Sequence, residues 1–405
     1  MESPYRVGCL VSHPIQYQAP LFRFLAACPE IDLTVFYLSD LSTRRYRDAG
    51  FGIDVNWDVP LLDGYRSEFL PCVGDGARLS FWRPWTYRLR KRLAAAGIEA
   101  LWIHGYAHQA CLRAIAAARW LGIKVLLRGD SQPQCESRDP IVLNLKKRLL
   151  PPLFRAIDGF LTIGTLNRDY YRSYGVPAER LFPMPYAVDN AFFRARAEQA
   201  RPRREQLRVE LGLEPARPVI LFASKLEHRK RGGDLLEAYA RLSPDGRGEP
   251  APYLLIVGDG EDRAALEARA GKLGWSSVRC VGFRNQTELP AIYDLCDVFV
   301  LPAEREPWGL VINEVMNAGK PVIVSDAVGA APDLVAEGEN GFVFPVGNIA
   351  ALADRLRMLT SSPEHAAAMG AKSLERVGRF SFEADRKGLR IALDTIVARP
   401  AARAD

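Results

Sequence analysis

The sequence lacks the features that mark membrane-spanning, secreted or zinc-binding proteins. No apolar run approaches the roughly 20 residues that a spanning helix needs. The start, MESPYRVGCLVSHPIQ, lacks the basic head and long apolar stretch of a signal peptide. The seven cysteines are scattered and include no Cys-x-x-Cys pair, which argues against disulfides and against a zinc site. We therefore expect a cytoplasmic protein with reduced cysteines.

Length and composition are those of a folded protein with two large domains. The chain has 405 residues, more than one ordinary core accommodates, with 48% hydrophobic and 25% charged residues. Residues 1–189 hold 24 Lys and Arg against 18 Asp and Glu, whereas residues 190–405 hold 30 of each. The whole net charge of +6 thus lies in the first half, which predicts an anionic partner there. We expect no nucleic acid among the partners.

Short apolar runs recur along the chain in two series, with helix-like stretches between them. They lie at 6–12, 33–39, 100–105, 124–129 and 159–164, and then at 218–224, 253–260, 278–283, 298–303 and 320–326. Strands that are apolar on both faces and alternate with helices indicate parallel sheets covered on both sides. The fold class is therefore α/β, with two Rossmann-like domains facing each other across a cleft and a charged, proline-rich hinge at 190–216. Ligands of such sheets bind at the carboxyl ends of the strands.

Two glutamates follow the strand-like run VFVLPA. The segment reads Glu306-Pro-Trp-Gly-Leu-Val-Ile-Asn-Glu314, and Gly319-Lys-Pro-Val-Ile-Val comes after it. A helix that begins near Trp308 to Leu310 would point its free N–H groups at a pyrophosphate. The carboxylates suit the hydroxyls of a sugar and a ribose. A pair of glutamates eight apart is common, but the preceding Pro302, Gly309 and the following strand make this arrangement specific.

This arrangement resembles the Glu-x7-Glu motif of the family-4 retaining glycosyltransferases, also called glycosyltransferase group 1, which have the GT-B fold. The resemblance implies a nucleotide-sugar donor, with the transferred sugar at Glu306 and the ribose at Glu314. It also implies 1–189 as an acceptor-binding domain and 190–380 as a nucleotide-sugar-binding domain. Residues 381–405 would form a helix that packs back towards the first domain, followed by a loose tail.

A basic segment follows the first strand of the second series. It reads Ser224-Lys225-Leu-Glu-His-Arg-Lys230-Arg-Gly232 and is similar to the basic positions of the same family. Cations there would neutralise the nucleoside diphosphate, whose negative charge grows as the glycosidic bond breaks. A solvated basic turn is the structural alternative, and Arg229 or Arg231 can replace Lys230 in this role. No Asp-x-Asp dyad is present, so we expect neither a metal nor any other cofactor.

Further matches extend the resemblance over nearly the whole chain. The remaining donor-binding candidates lie in the acidic motif, in the basic segment and in the turns after two strands: Trp308, Gly309, Leu310, Arg231, Gly258, Gly282, Phe283 and Arg284. Glycine lets the backbone approach a ligand closely. Backbone contacts from the Val-Gly-Phe segment suit a pyrimidine, so a UDP-sugar is our expected donor and a GDP-sugar the alternative.

The first domain departs from the family's pattern at two strand ends. Many members carry glycines after the first strand, where this chain has Ser12-His-Pro-Ile-Gln-Tyr. Many also carry a histidine near the reacting sugar, where this chain has Arg128-Gly-Asp130. We take Asp130 as its catalytic replacement. The candidates for the acceptor side are His13, Gln16, His104, His108 and Arg128, although a histidine at a strand end is often a packed structural residue.

Other functions fit the motifs of the sequence less well than a glycosyltransferase does. An oxidoreductase lacks support because Gly-x-Gly-x-x-Gly is missing after the first strand. An epimerase lacks the Glu-x7-Glu helix, and a phosphorylase needs a pyridoxal-binding lysine on a longer chain. An inactive, sugar-nucleotide-binding scaffold subunit is the non-enzyme alternative. For the acceptor, a glycan or lipid-linked intermediate of cell-surface polysaccharide synthesis is expected, with a small-molecule or natural-product acceptor as the alternative.

Aromatic and basic residues interleave at 81–92. The stretch contains four aromatics and five cations: Phe81, Trp82, Trp85, Tyr87, Arg83, Arg88, Arg90, Lys91 and Arg92. Trp and Tyr favour the headgroup region, and basic residues favour an anionic leaflet. The stretch predicts peripheral association with an anionic membrane. The alternative is a helix whose aromatics pack on the sheet.

Overall fold

The computed structural model describes residues 3–74, 79–136, 139–242, 251–272 and 275–398. The chain divides into two compact units. The first unit lies within Met1–Tyr46, Val59–Tyr186 and Phe382–Asp405, and the second within Arg47–Asp58 and Ala187–Ser381. Each unit contains a parallel sheet with helices between its strands.

The elements of the described residues alternate as the apolar runs predict. The strands are β1 (Tyr5–Val11), β2 (Ile31–Tyr37), β3 (Tyr46–Asp48), β4 (Ile53–Val55), β5 (Arg66–Phe69), β6 (Cys72–Val73), β7 (Trp85–Thr86), β8 (Ala100–His104), β9 (Lys124–Arg128), β10 (Gly159–Thr162), β11 (Leu181–Pro183), β12 (Val219–Ala223), β13 (Tyr253–Val257), β14 (Val278–Gly282), β15 (Val298–Leu301), β16 (Val322–Ser325) and β17 (Gly341–Phe344). The helices are α1 (Ala19–Ala26), α2 (Leu89–Ala95), α3 (Gln109–Trp120), α4 (Pro140–Arg155), α5 (Thr165–Ser173), α6 (Asn190–Ala200), α7 (Arg204–Glu210), α8 (Gly232–Ala240), α9 (Arg263–Lys272), α10 (Leu289–Leu295), α11 (Leu310–Met316), α12 (Ala331–Leu334), α13 (Ile349–Thr360), α14 (Pro363–Val377) and α15 (Phe382–Ile396).

The sheet of the first unit has the strand order β11-β10-β9-β8-β1-β2-β5 in the described residues, and its neighbours pair in parallel. The central strands β1, β8 and β9 are buried over most of their length, as expected for strands covered by helices on both faces. This confirms the first series of apolar runs as one Rossmann-like sheet.

The sheet of the second unit has the order β14-β13-β12-β15-β16-β17 in the described residues, again with parallel neighbours. Strands β12, β13, β15 and β16 are buried throughout. The loops after β12, β13, β14 and β15 therefore open at the same edge, which carries the basic segment, the glycine turns and Glu306. The predicted α/β class with two Rossmann-like sets is confirmed.

Three segments lie outside the two series of apolar runs. Residues 47–58 pack with the second unit, although they precede most of the first. The expected hinge at 190–216 is largely helical, since it forms α6 and α7. Helix α15 belongs to the first unit, and a Cβ at Gly388 would lie 1.8 Å from the Pro183 carbonyl oxygen, so α15 lies directly on β11. The tail at 399–405 lies outside the described residues.

Candidate active site

The basic segment forms a tight connection between β12 and α8. Residues His228–Lys230 make one 3₁₀ turn, closed by the Lys230 N–H, which donates to the Glu227 carbonyl at 2.8 Å. Arg231 then adopts a left-handed conformation with φ 54°, and α8 begins at Gly232. The turn buries the Lys230 side chain almost completely. The buried turn therefore holds Lys230 in a fixed position. A solvated basic turn, the structural alternative, would not hold the lysine in this way.

The acidic motif starts in the loop between β15 and α11. Gly309 has φ 92°, in the region that favours glycine, and its Cβ would lie 3.1 Å from Leu301. The Glu306 carbonyl accepts the Gly329 N–H at 2.9 Å, which fixes the loop against the neighbouring one after β16. Helix α11 begins at Leu310, where the sequence places it.

The two motifs meet although 76 residues separate them. The Lys230 Nζ donates to Glu306 Oε2, and the two side chains are only 10% and 12% exposed. Arg229 Nη1 lies 3.7 Å from the same oxygen and donates to the Arg305 carbonyl at 3.0 Å. The Glu304 N–H in turn donates to the Arg229 carbonyl at 2.9 Å. Backbone and side-chain bonds therefore hold the basic turn and the acidic loop as one structure.

Glu314 lies one turn inside α11 and is buried. Tyr293 of α10 donates its hydroxyl to Glu314 Oε2 at 2.6 Å. Burial raises the pKa of Glu314 from 4.5 to about 7, and hydrogen bonds from Tyr293 and Gln286 only partly oppose this. The carboxyl is thus held in one orientation in a site that disfavours its charge. A perturbed carboxyl of this kind is typical of functional sites.

Two glycine turns bring the loops after β12, β13 and β14 together. Gly258 has φ 128°, and a Cβ on it would lie 1.9 Å from the Ser224 carbonyl oxygen. The Gly258 N–H donates to the Gly282 carbonyl at 2.9 Å. Side chains at these positions would force the loops apart. The glycines therefore shape the strand-end edge, whether or not their backbone also touches a ligand.

The remaining predicted donor residues differ in their surroundings. Phe283 packs edge-on against Phe51 with ring centroids 4.9 Å apart, and Arg284 pairs with Glu288 at 3.3 Å. Arg231 donates to Asp234 at 2.6 Å and to Glu304 at 2.8 Å. Each arginine therefore already has a carboxylate partner, which a ligand phosphate would have to replace or share.

Trp308 lies in the interior of the second unit. Its indole is 3% exposed, donates from Nε1 to Asn313 Oδ1 at 2.9 Å and packs near Phe380 with centroids 6.2 Å apart. Trp308 is one of the donor-binding candidates that the acidic motif suggests. The structure instead gives its side chain a packing role under the loop that carries Glu306.

In the first unit, the predicted histidines have protein partners. His104 Nε2 lies 3.0 Å from the Gln18 amide nitrogen and 3.3 Å from the Tyr186 hydroxyl oxygen. Burial and the nearby Arg128 charge lower the pKa of His104 to about 3, so its ring is neutral at neutral pH. His108 Nδ1 lies 2.7 Å from the Ser80 carbonyl oxygen, and His13 Nδ1 lies 2.9 Å from Ser12 Oγ.

Asp130 and Gln16 follow strands of the first unit at its surface. Asp130 is exposed directly after β9, and Gln16 is half-buried in the loop between β1 and α1. Neither the catalytic role of Asp130 nor the acceptor role of Gln16 is tested by these positions, and both stay predictions.

Arg128 requires a correction, because the structure buries it. Its side chain is 2% exposed and donates through Nη2 to the carbonyls of Met184 and Pro185 at 3.1 and 3.0 Å. The same nitrogen lies 3.2 Å from Asp385 Oδ1 of α15, which is fully buried. Arg128 therefore fixes helix α15 to the sheet of the first unit, and an acceptor cannot reach it there.

Two residues that contact the site, Asp48 and Tyr293, belong to no motif of the sequence. Asp48 accepts from Lys225 Nζ at 2.7 Å, and Tyr293 binds Glu314 as described above. Asp48 lies in the charged stretch Arg-Arg-Tyr-Arg-Asp, which carries no motif. Tyr293 lies in an ordinary apolar helix, and only the three-dimensional structure shows that its hydroxyl contacts Glu314.

The described residues contain no helix that is both long and apolar enough to cross a membrane. Within the same part of the chain, no three His, Cys, Asp or Glu side chains cluster in a way that could hold a metal ion.

The chain, with its two Rossmann-like units, has the GT-B class of fold, as solved structures show. The Anabaena protein HepE, solved in complex with UDP and also with UDP-glucose, superimposes with a TM-score of 0.69 for the UDP complex. That match has 17% identity and covers 97% of this chain and 100% of the other. Identity at this level establishes the fold alone.

Residues 203–376 match the model of the family "Glycosyl transferases group 1". Alpha-D-kanosaminyltransferase of Streptomyces kanamyceticus is 31% identical over 194 residues, 48% of each chain. D-inositol 3-phosphate glycosyltransferase of Segniliparus rotundus is 29% identical over 53% of this chain and 47% of its own. The chain thus spans about half the length of the curated relatives it matches. The resemblance inferred from the motifs is confirmed.

Proposed function

We propose that this protein is a retaining glycosyltransferase that moves a sugar from a nucleoside-diphosphate sugar to a hydroxyl acceptor without a metal ion. The observation that carries the proposal is the contact of Lys230 with Glu306. It joins the basic and acidic motifs at the strand ends of the second unit, inside the segment that matches the family. Glu314 completes the set from its position one turn inside α11.

The site residues fit the chemistry of such a transfer. When the bond between the donor sugar and the diphosphate breaks, the departing phosphate gains charge that Lys225 and Lys230 can stabilise. The acceptor oxygen bonds to the same face of the sugar carbon, and its proton passes to the leaving phosphate oxygen. Glu306 would orient the transferred sugar through its hydroxyls and Glu314 the ribose. The retaining course rests on the family resemblance.

UDP is the proposed nucleotide, with GDP as the alternative. Support comes from the solved complexes of HepE with UDP and UDP-glucose, which has the same fold. A glycan or lipid-linked acceptor is proposed to bind the first unit, where the positive charge excess lies. The names of the two curated relatives differ in their substrates, so a small-molecule acceptor is the second candidate.

Donor turnover tests this proposal directly. The parent is incubated with UDP-glucose and other UDP- and GDP-sugars without acceptor, and released nucleoside diphosphate is measured. We expect slow release from at least one donor, and at least about tenfold less release by Glu306→Ala and Lys230→Ala, since each loses a charge-assisted contact worth about 1.5 to 3 kcal/mol.

The control for these variants is Glu339→Gln, which changes an exposed carboxyl of the same unit. It should release nucleoside diphosphate at the parent's rate. Parent-like rates in Glu306→Ala and Lys230→Ala would refute the site. No release from any donor would favour the inactive scaffold subunit.

We also propose that the first unit binds an anionic membrane surface. Within 81–92, all four aromatics are exposed, Trp82 at 66%. The alternative, a helix whose aromatics pack on the sheet, does not fit the exposure of these four side chains. Part of the segment has a structural role, because the Arg90 guanidinium lies 4.2 Å from the Trp120 ring centroid and Arg92 pairs with Glu68 at 3.3 Å.

Helix α4 adds a second exposed apolar surface in the same unit. Ile141, Leu145 and Leu149 are four residues apart and so share one face, and Ile141 is 78% exposed. The helix contains Lys146, Lys147, Arg148 and Arg155 and no acidic residue. An exposed apolar face with basic flanks suits the headgroup region of an anionic bilayer.

Vesicle sedimentation tests the membrane proposal. The double variant Leu145→Ser and Leu149→Ser should lose most binding to phosphatidylglycerol vesicles at low salt, whereas Val209→Ser, at an even more exposed apolar site of the second unit, should not. The parent should bind neutral phosphatidylcholine vesicles much less. Equal binding by all three proteins, or no binding by the parent, would contradict the proposal.

A further inference from the structure

Residues 47–58, here called the strap, dock on the second unit at the residues assigned to the donor. Strands β3 and β4 form a small two-stranded sheet there. At its far end, the Asn285 side chain donates to the Asn56 carbonyl at 2.7 Å, and the Thr287 N–H donates to Asp58 at 3.2 Å. The strap is thus fixed at the turn that follows β14.

The centre of the strap reaches the basic segment. Asp48 Oδ1 accepts from Lys225 Nζ at 2.7 Å, and it also accepts the N–H groups of Gly50 and Phe51 at 2.9 and 3.0 Å. Burial raises the pKa of Asp48, but these hydrogen bonds and the Lys225 charge outweigh it, so the pKa lies below its usual value. Asp48 is therefore an ionised partner of Lys225.

The strap also contacts the segment proposed to read the nucleobase. Phe51 packs edge-on against Phe283, and the Trp57 ring lies 6.3 Å from Phe283, centroid to centroid. The Lys225 Nζ lies 4.7 Å from the Phe51 ring centroid. A Cβ on Gly50 would lie 2.6 Å from the Lys225 Cδ, so the strap backbone lies directly against this lysine. Twelve residues thus cover both a phosphate-binding and a base-binding candidate.

We propose that the strap is an autoinhibitory cover of the donor site, in which Asp48 competes with a donor phosphate for Lys225. The proposal rests on the proposed function, because it requires Lys225 to bind the diphosphate. Asp48 cancels the lysine charge at short range, so a phosphate gains less from Lys225 until Asp48 leaves. A nucleoside diphosphate exchanges one anionic partner of Lys225 for another and releases the strap.

Calorimetric titration of Asp48→Asn tests the competition. Asparagine retains an oxygen that can accept the Gly50 and Phe51 N–H groups, so the local turn can form. We expect the Kd for UDP to fall about three- to tenfold, as for loss of a partly exposed ion pair that opposes binding. The Kd for uridine, which has no phosphate to replace Asp48 at Lys225, should fall less than the Kd for UDP.

The matched control is Asp54→Asn, which removes a more exposed carboxylate of the same strap, 3.9 Å from Arg47. UDP affinity should be unchanged in this variant. Equal tightening in both variants would indicate a general charge effect and overturn the proposal. Unchanged UDP binding by Asp48→Asn would also overturn the proposal. Weaker UDP binding would overturn it by showing that Asp48 positions Lys225 for the donor.

Hydrogen exchange of the parent provides an independent measurement. The N–H groups of Gly50, Phe51 and Gly52 all donate to Asp48 atoms. Saturating UDP should raise their exchange rates, because the strap is released. Slower or equal exchange with UDP bound would overturn the strap while leaving the glycosyltransferase proposal intact. A parent that binds neither UDP nor GDP would overturn both.

Discussion

Glu314 should lower the stability of the protein at the pH where it is ionised. Its pKa is about 7 in the folded chain, against 4.5 ordinarily. Both states are protonated below pH 4.5, so nothing is lost there. Between pH 4.5 and 7 the unfolded state releases its proton first, and the free energy of unfolding falls by 1.36 kcal/mol per pH unit. The loss amounts to about 3 kcal/mol and is complete above pH 7.

The variant Glu314→Gln removes the charge and keeps an oxygen for the Tyr293 hydroxyl. At pH 8 we expect the unfolding transition of the second unit to rise by about 6 °C, taking about 2 °C per kcal/mol. At pH 4 the variant and the parent should unfold together. Glu339→Gln, an exposed control, should shift neither transition. A Glu314→Gln variant that is no more stable than the parent at pH 8 would refute the reasoning.

Three further substitutions test how the two units are packed. Gly258→Ala should destabilise the second unit by more than about 3 kcal/mol, since its Cβ would lie 1.9 Å from a backbone oxygen, whereas Gly233→Ala in the open face of α8 should stabilise by about 0.5 to 1 kcal/mol. Urea unfolding compares the two. Arg128→Met should cost about 3 to 5 kcal/mol because it leaves Asp385 buried and unpaired, and proteolysis should then release α15; an unchanged protease pattern would contradict this.

The sheets were predictable because buried parallel strands leave a direct signal in the sequence. Each apolar run needs only its own residues to be recognised, and β1, β8, β12 and β15 lie where these runs lie. The meeting of Lys230 with Glu306 also followed from topology, since loops at the carboxyl ends of parallel strands share one edge of the sheet.

Burial and long-range docking were not predictable in the same way. Arg128 and Trp308 both stand in motif positions, but the motif does not reveal that Asp385 and Asn313 bind them in the interior. The docking of the strap on the second unit depends on contacts between residues more than 170 positions apart in the sequence, such as Asp48 and Lys225. Such contacts leave no local pattern in one sequence.

The central claim is that the second unit binds a nucleoside diphosphate through its basic turn. Thermal-shift titration with uridine, guanosine and thymidine diphosphates, on the parent and on Lys230→Ala, tests it most directly. The account predicts a saturable rise of the transition temperature of the parent, largest with UDP. In the variant, the same rise should need at least about tenfold more nucleotide, because a contact worth about 1.4 kcal/mol or more is lost. No shift of the parent with any of the three nucleotides would contradict it.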